Sequence, residues 1–318
     1  MCKGEIMSKK EVKNCVIIYN PVSTGFKEDS LNKIAKTAKD YGLNPSFAKS
    51  MYQGNVIDLV KENDRKDTLI ITLGGDGTVK EAYTGLSQVK QKGIYAHVPT
   101  GTTNDMAKNF DVKEKEADKI IEDILNGEIR MFDTYSINGQ IAAYTAVFGH
   151  LAHVPFITSP KLKKNFGYAG YVICAGKEIV KKPVKYDISY QTENLYGRDE
   201  FILGAVSNTK GFAGINLYDN AKLNDGKIEL LLLKNINAKM ITTIVNDFLH
   251  NRINLANYKE HIILTQSNEI KLTFNDKFPN YPVDVDGENS KITPNFVDKD
   301  LIFKIEKPIR ILKRKKNQ

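Results

Sequence analysis

The chain has 318 residues, of which 41% are hydrophobic and 26% charged, and its net charge is +8. These values are ordinary for a globular protein and allow one large or two average domains, each with its own core. The basic balance suits nucleic acid, an anionic membrane or a phosphorylated ligand. Aromatic residues do not alternate with the basic ones as in single-strand binders, so we expect no nucleic-acid partner.

Cysteine usage and hydropathy indicate the compartment. The three cysteines are too few and too scattered for a disulfide framework. The first residues are polar and charged, unlike a secretory signal, and no apolar run approaches the roughly 18 residues of a membrane span. We therefore expect a cytoplasmic protein whose membrane contact, at the inner face, is peripheral. The basic C-terminal segment KPIRILKRKKNQ is interpreted as a solvated terminus or, alternatively, as an attraction to anionic lipid.

Strands and helices alternate up to about residue 130. Apolar runs predict strands at 13–19, 44–51, 67–73 and 93–99. Apolar residues at helical spacing predict helices at 29–41, 54–63, 79–89 and 115–128. This alternation is typical of a doubly wound, mainly parallel sheet. We predict that residues 1–135 form a nucleotide-binding α/β domain.

The pattern of predicted elements changes after residue 130, where short strands with turn signals between them predominate. Strands are predicted at 130–139, 140–149, 185–193, 198–208, 227–234, 269–274, 281–288 and 301–307, and helices at 168–180 and 238–251. This pattern predicts a β-sandwich-like domain with helical excursions over residues 136–299. An alternative for the C-terminal strand, within residues 300–318, is that it joins the first domain.

The stretch GGDGT follows the buried third strand and precedes a helix. It contains Gly74, Gly75, Asp76, Gly77 and Thr78. In open α/β sheets ligands bind at the carboxyl ends of strands, and the following helix N-terminus favours a phosphate. An acid beside phosphates calls for a cation, so Asp76 is a candidate magnesium ligand, directly or through water. The alternative is a plain glycine turn with Asp76 as the helix cap.

A second polar segment, residues 98–108, follows the fourth predicted strand. Gly101, Thr102 and Asn104 offer donors to phosphate, and Asp105 adds a carboxylate. An ordinary Asn-capped helix start is the alternative. The turn at 19–25 follows the first strand, and by itself it is a weak signal. Together the three strand exits predict a nucleotide site without a P-loop motif.

The stretch DVDGE lies late in the second half, at residues 284–288. A charged β-turn is one interpretation of Asp284, Asp286 and Glu288, since Asp-Gly turns are common. The other is functional, because phosphoryl transfer to a hydroxyl needs a carboxylate that accepts the proton. Glu288 is the candidate for that role.

These motifs, in the order NPVSTG, GGDGTVKEA, PTGTTNDMAK, NDGKIEL and VDGE, resemble the diacylglycerol kinase catalytic-domain family. The chain looks most similar to the soluble bacterial lipid kinases of that family, over residues 13–305. The resemblance implies ATP and Mg²⁺ as cofactors, a lipid substrate at a membrane surface, and a homodimer as a possible assembly. It implies ATP contacts at Asn20, Pro21, Ser23, Gly25, Gly74, Gly75, Asp76, Gly77, Thr78, Glu81, Gly101, Thr102 and Asn104.

The resemblance also implies the catalytic acids. An acid, water and magnesium network would involve Asp76, Asp105 and Asp133, and Glu288 would accept the proton. A structural magnesium loop would use the Asp225 carboxylate and the main-chain carbonyls of Lys222 and Lys227; the residues alone predict only a hairpin turn there.

We therefore predict an ATP-dependent lipid kinase that converts diacylglycerol to phosphatidic acid. Two alternatives remain. One is a kinase of a soluble acceptor, similar to NAD kinases, which share GGDGT. The other is a non-catalytic regulator that binds lipid or nucleotide, which the lysine at position 80 keeps open, since family members usually place asparagine there.

Overall fold

The computed structural model describes most of the chain. The described residues are 11–23, 25–101, 104, 106, 110, 116–149, 152, 183–209, 211–212, 215–216, 221–249, 254–276, 283–286, 288–289 and 300–314. The chain divides into two compact units, residues 1–134 with 307–318, and residues 135–306.

The described strands, in chain order, are β1 (Asn14–Tyr19), β2 (Asn44–Lys49), β3 (Thr68–Gly74), β4 (Ile94–Pro99), β5 (Glu128–Phe132), β6 (Tyr135–Ile137), β7 (Gln140–Ala142), β8 (Thr145–Gly149), β9 (Tyr186–Gln191), β10 (Tyr196–Ser207), β11 (Gly211–Phe212), β12 (Ile215–Asn216), β13 (Ile228–Lys234), β14 (Ile262–Ser267), β15 (Glu269–Phe274), β16 (Asp284–Val285), β17 (Glu288–Asn289), β18 (Asp300–Ile305) and β19 (Ile309–Lys313). The described α-helices are α1 (Glu28–Asp40), α2 (Asn55–Asn63), α3 (Asp76–Ser87), α4 (Ala117–Leu125) and α5 (Ala238–Leu249).

The first unit contains a sheet in the order β2-β1-β3-β4-β19-β5. Strands β1 to β4 are parallel, and every residue of β3 is buried, as expected of a strand covered on both faces. Helices α1 and α4 pack together on one face, with their apolar residues in the core beneath it. Helices α2 and α3 contact each other and cover the opposite face of the sheet. The predicted doubly wound sheet is confirmed.

The strand order reverses at β1. The chain goes from β1 to β2 on one side and then returns to β3 on the other side. Crevices of this kind, at the carboxyl ends of parallel strands, are where doubly wound folds bind ligands. The segments that follow β1, β3 and β4 leave the sheet at this edge, which we call the carboxyl edge.

The C-terminal segment is predicted to be a solvated terminus or a lipid-attracting segment, with a strand that joins the first domain as a further option; the solvated terminus is wrong for residues 309–313. They form β19, which is parallel to β4 and antiparallel to β5. Ile309, Ile311 and Leu312 are buried, so the apolar residues of this basic segment complete the first sheet. Strand β18, in contrast, belongs to the second unit.

The second unit is predominantly antiparallel, as predicted. Eleven of its described strands form one connected sheet. Strand β10 joins the part of the sheet that contains β9 to the part that contains β8 and β13. The first half of β10 pairs with β9, whereas the second half lies between β8 and β13. Helix α5 is confirmed, whereas the helix predicted at 168–180 lies outside the described residues.

Three features of this half differ from the prediction. The strand predicted at 140–149 is two strands, β7 and β8, which pair with different neighbours. The strand predicted at 130–139 is two strands in two sheets, because Asp133 and Thr134 separate β5 from β6. Strand β14 was not predicted, since its alternating residues IILTQS carry no strong apolar run. It pairs with β13 along its full length.

A buried polar triad lies within the first sheet. The hydroxyl of Thr72 is 2.6 Å from the Tyr95 hydroxyl and 2.8 Å from Nδ1 of His97. Burial lowers the pKa of His97 to about 3, so the ring is neutral in the folded protein at physiological pH. The unfolded chain takes up a proton near pH 6.5, which the folded protein resists.

We therefore expect acid to destabilise the protein through His97. Stability from the neutral ring is fully present above pH 6.5 and should fall toward pH 3, by at most about 1.4 kcal/mol per pH unit. Urea unfolding at a series of pH values measures this slope. His97→Gln should flatten it, whereas His261→Gln, at a partly exposed position, should not. Parallel profiles for the wild type and His97→Gln would contradict the assignment.

Candidate active site

Thr100 connects two strand exits at the carboxyl edge. Its N–H donates to the carbonyl of Gly74 at 2.7 Å, and its carbonyl accepts the Gly25 N–H at 2.8 Å. Its hydroxyl lies 2.8 Å from the Ser23 hydroxyl. The segments after β1 and β4 are thus bonded to each other and to the end of β3, which brings the three predicted strand-exit motifs together.

The turn after β1 is held by its own side chain. Oδ1 of Asn20 accepts the Val22 N–H at 3.1 Å, and the Asn20 carbonyl accepts the Ser23 N–H at 3.2 Å. Pro21 lies within this turn. Gly25 is close to Thr100, since a Cβ there would lie 2.7 Å from the Thr100 carbonyl oxygen. The sequence NPVSTG therefore forms a compact loop fixed to the sheet edge.

Two glycines meet where the segments after β3 and β4 approach. A Cβ on Gly101 would lie 2.6 Å from Cα of Gly75 and 2.7 Å from Oδ1 of Asn104. Asn104, at φ 49°, accepts the Gly101 N–H at 2.8 Å and donates to the Gly101 carbonyl at 2.6 Å. The two backbones therefore touch without intervening side chains, and Asn104 holds that arrangement.

Helix α3 begins at Asp76, directly after this contact. Oδ1 of Asp76 accepts the Met106 N–H at 3.0 Å, which links the helix start to the segment after β4. Gly77 follows in the first turn, and the buried Thr78 side chain packs on Gly74, where a Cβ would lie 2.2 Å from Oγ1 of Thr78. The helix start thus combines a carboxylate with the positive end of a helix dipole.

Glu81 has a role that the sequence did not reveal. Its two carboxylate oxygens accept the N–H groups of Gly54 at 2.8 Å and Val56 at 3.2 Å. These N–H groups belong to the start of α2, so Glu81 caps the neighbouring helix. Its predicted ATP contact stays a prediction.

The predicted acid network is described only in part. Thr102 and Asp105 lie outside the described residues. Asp133 is buried and follows β5, which runs antiparallel to β19. Because β19 is parallel to β4, β5 ends at the edge opposite to the carboxyl edge, where Asp76 lies. The strand directions therefore give no support to a ligand shared by Asp76 and Asp133.

The DVDGE stretch forms a tight hairpin. Val285 of β16 pairs with Glu288 of β17, and Asp286, at φ 60°, has the left-handed backbone that two-residue hairpins favour. The carboxylate of Asp286 accepts the N–H groups of Ala143 at 2.9 Å, Tyr144 at 2.8 Å and Thr145 at 3.1 Å. The turn interpretation is thus confirmed for Asp286. The Glu288 side chain lies outside the described residues, so its role stays a prediction.

We expect Asp286→Asn to destabilise the second unit by about 3 kcal/mol, because an amide cannot replace a carboxylate that accepts three backbone N–H bonds. Urea unfolding measures the loss. The control is Asp199→Asn, which removes only a surface ion pair with Lys234. Equal stability of the two variants would show that the Asp286 contacts contribute little.

Comparison with known proteins shows which family the chain is similar to. Residues 14–137 match the diacylglycerol kinase catalytic domain. The chain is 29% identical over 290 residues to a diacylglycerol kinase of Bacillus subtilis (strain 168), covering 89% of this chain and 92% of the relative. A diacylglycerol kinase of Staphylococcus carnosus (strain TM300) is 24% identical over 295 residues, covering 90% of this chain and 92% of the relative.

Solved structures share the fold. A diacylglycerol kinase from Bacillus anthracis (strain Sterne) superposes with a TM-score of 0.72 at 18% identity, covering 95% of this chain and 97% of that chain. A second Bacillus anthracis structure gives a TM-score of 0.78 at 21% identity over 95% of this chain and 97% of that one. The predictions of family, of kinase class and of fold class are confirmed. Within the described part of the chain, no helix combines the length and apolarity needed to cross a bilayer.

The predicted magnesium loop precedes β13. Oδ1 of Asp225 accepts the Lys227 N–H at 3.2 Å, and Gly226 has a φ of 72°. Lys222 and Asp225 are both exposed. The described residues contain no group of three His, Cys, Asp or Glu side chains suited to a metal, so a cation here would need main-chain oxygens or water.

Sequence reasoning missed Glu229, the second residue of β13. Its side chain is buried, and burial raises its pKa to about 8, with a further upward contribution from the charge of Asp225. The signal available in the sequence was an acid inside the otherwise apolar run IELLLL. A carboxylate at such a position requires a partner or a function.

Proposed function

We propose that this protein is an ATP-dependent lipid kinase that transfers the γ-phosphate of ATP to a hydroxyl of diacylglycerol, producing phosphatidic acid and ADP. The observation that carries the proposal is the joining of three glycine-containing strand exits at the carboxyl edge, through Thr100 and the Gly75–Gly101 contact, beside the carboxylate of Asp76. The family match and the curated relatives support the reaction class.

The residues of the carboxyl edge suit a triphosphate. Gly75 and Gly101 have no side chains, so the backbone can approach phosphate oxygens closely, and the start of α3 favours negative charge. Asp76 would hold Mg²⁺ directly or through water, because a carboxylate oxygen suits a hard cation. The ion, when bound, would neutralise charge that develops on the transferred phosphoryl group. The remaining work of the protein is positioning.

Glu288 is proposed as the proton acceptor from the lipid hydroxyl. Its place on β17 is fixed by the Val285 pairing and by the Asp286 anchor, so a short, well-bonded hairpin carries it. A rigid support is what a general base needs, because proton transfer depends on hydrogen-bond distance. We further propose that the protein works at the cytoplasmic face of the membrane as a peripheral enzyme, with the homodimer as its candidate assembly.

A lipid-panel assay tests the proposal. The purified full chain is incubated with γ-labelled ATP, Mg²⁺ and micelles that carry diacylglycerol, phosphatidylglycerol, a sphingoid base or a polyprenol. We expect label in phosphatidic acid, and none after chelation of Mg²⁺. Label in another lipid would overturn the choice of diacylglycerol. Label in NAD, tested in parallel, would favour the soluble-acceptor kinase, and lipid binding without transfer would favour the regulator.

A further inference from the structure

A row of three polar side chains crosses the second sheet near the hairpin that carries Glu288. Thr145 of β8 lies directly opposite Ser207 of β10, and Ser207 lies directly opposite Glu229 of β13. Residues directly opposite on antiparallel strands project to the same face, with Cβ atoms roughly 5 Å apart. The three side chains therefore form one short line across three neighbouring strands, which we call the polar row.

The polar row is buried, and within the described part of the chain its side chains have no hydrogen-bond partners. The exposed fractions of Thr145, Ser207 and Glu229 are 4%, 0% and 5%. Neither the two hydroxyl oxygens nor the two carboxylate oxygens make a hydrogen bond to a described residue. More than nine in ten buried polar groups in proteins find a partner, so four unsatisfied oxygens in one line indicate a ligand.

The surroundings favour a positively charged ligand. The next row on the same face, two residues along each strand, is apolar and consists of Val147, Ala205 and Leu231. No basic side chain among the described residues forms an ion pair with Glu229. A cation would bind the buried carboxylate and offset the cost of burying its charge, whereas a neutral ligand would not.

We propose that Glu229, Thr145 and Ser207 form a buried site for a divalent cation of the Mg²⁺ type, next to the loop that carries Asp225. The donors are all oxygens, a set that suits a hard cation completed by water. This inference rests on the proposed function in one respect, because Asp225 is also the carboxylate of the proposed magnesium loop. Glu229 adds a buried charged ligand that the loop itself lacks.

The site would also support the catalytic hairpin. Thr145 donates its N–H to Asp286 at 3.1 Å, and its carbonyl accepts the Asp286 N–H at 2.8 Å. A cation on the Thr145 hydroxyl would therefore fix the strand on which the β16–β17 hairpin is anchored. Cation binding and the position of Glu288 would be coupled through this one residue.

Metal binding without nucleotide or lipid tests the proposal. The full chain is stripped with EDTA and titrated with Mn²⁺, and free Mn²⁺ is followed by its paramagnetic resonance signal. We expect Glu229→Gln to weaken binding at least about tenfold. The matched control is Glu269→Gln, which removes only a surface carboxylate that pairs with Lys304, and it should bind as the wild type does. Unchanged binding by Glu229→Gln would overturn the proposal.

Thermal unfolding gives an independent measurement. In EDTA, Glu229→Gln should be at least as stable as the wild type, because the change replaces a buried carboxyl group that has no hydrogen-bond partner among the described residues. Mg²⁺ should raise the Tm of the wild type and not that of Glu229→Gln. A variant that is less stable in EDTA would indicate that the carboxylate has a protein partner, and it would also overturn the proposal.

These outcomes are separable from those of the proposed function. Neither measurement needs ATP or lipid, so a protein that binds Mn²⁺ through Glu229 but transfers no phosphate would refute the kinase and leave the cation site standing. If Asp225→Asn abolishes binding while Glu229→Gln retains it, the loop holds the ion alone and the buried site is refuted.

Discussion

Replacing Asp76 with asparagine is expected to lower kcat for phosphoryl transfer by about 10²–10³-fold. Asparagine keeps an oxygen that can accept the Met106 N–H, so the link between α3 and the segment after β4 should survive. What the change removes is the negative charge proposed to hold Mg²⁺. Initial rates with labelled ATP and diacylglycerol micelles measure the loss, and thermal unfolding checks that the fold is retained.

The matched control for Asp76→Asn is Asp58→Asn. Asp58 lies in the first turn of the adjacent helix α2 and pairs with Lys61 at 2.9 Å on the surface. This change removes one charge from the same unit without touching the carboxyl edge, so the rate should remain that of the wild type. Full activity of Asp76→Asn would refute the assignment of the magnesium ligand.

Gly101→Ala is expected to disrupt the carboxyl edge itself. The new methyl group would meet Cα of Gly75 at 2.6 Å, and because that atom is backbone it cannot rotate away. Separating the two segments costs about 1–3 kcal/mol and would misplace the N–H groups proposed to bind phosphate. We expect the Kd for ATP to rise at least about tenfold, measured by calorimetry with Mg²⁺ present.

The variant Gly75→Ala, with a milder expected clash, provides the control for Gly101→Ala. A Cβ on Gly75 would lie 3.2 Å from Cα of Gly101, a contact that small shifts can relieve. Gly75→Ala should therefore weaken ATP binding less than Gly101→Ala does. The reverse order, or no effect of either variant on ATP affinity, would show that the nucleotide does not bind where these segments meet.

The sequence predicts the first sheet well because its signals are local. Apolar runs such as LIITL, which are short and are followed by turn residues, indicate buried strands, and the polar residues after each run mark the edge at which ligands bind. Strand order is not local. The C-terminal sequence allows a strand that joins the first domain, but it does not indicate that this strand inserts between β4 and β5, which only tertiary pairing decides.

The distinction between local signals and long-range pairing also applies to the candidate active site. Asn20 and Gly75 each belong to a short segment directly after a strand. Both were predicted to lie at the carboxyl edge and do lie there. The roles of Glu81 and Asp286 depend on partners far along the chain, namely the start of α2 and residues 143–145. Asp133 was placed with Asp76 by resemblance alone, and the direction of β5 could not be read from its residues.

The position of β19 has a consequence for biosynthesis. The ribosome makes residues 1–134 first, yet the first sheet lacks its fifth strand until residues 309–313 leave the exit tunnel. Until then β4 has an open edge, and β5 has no neighbour through which to join the sheet. Completion of the first sheet must therefore wait until residues 309–313 have been synthesised, and a nascent chain stalled before residue 309 exposes a surface for chaperones or for aggregation.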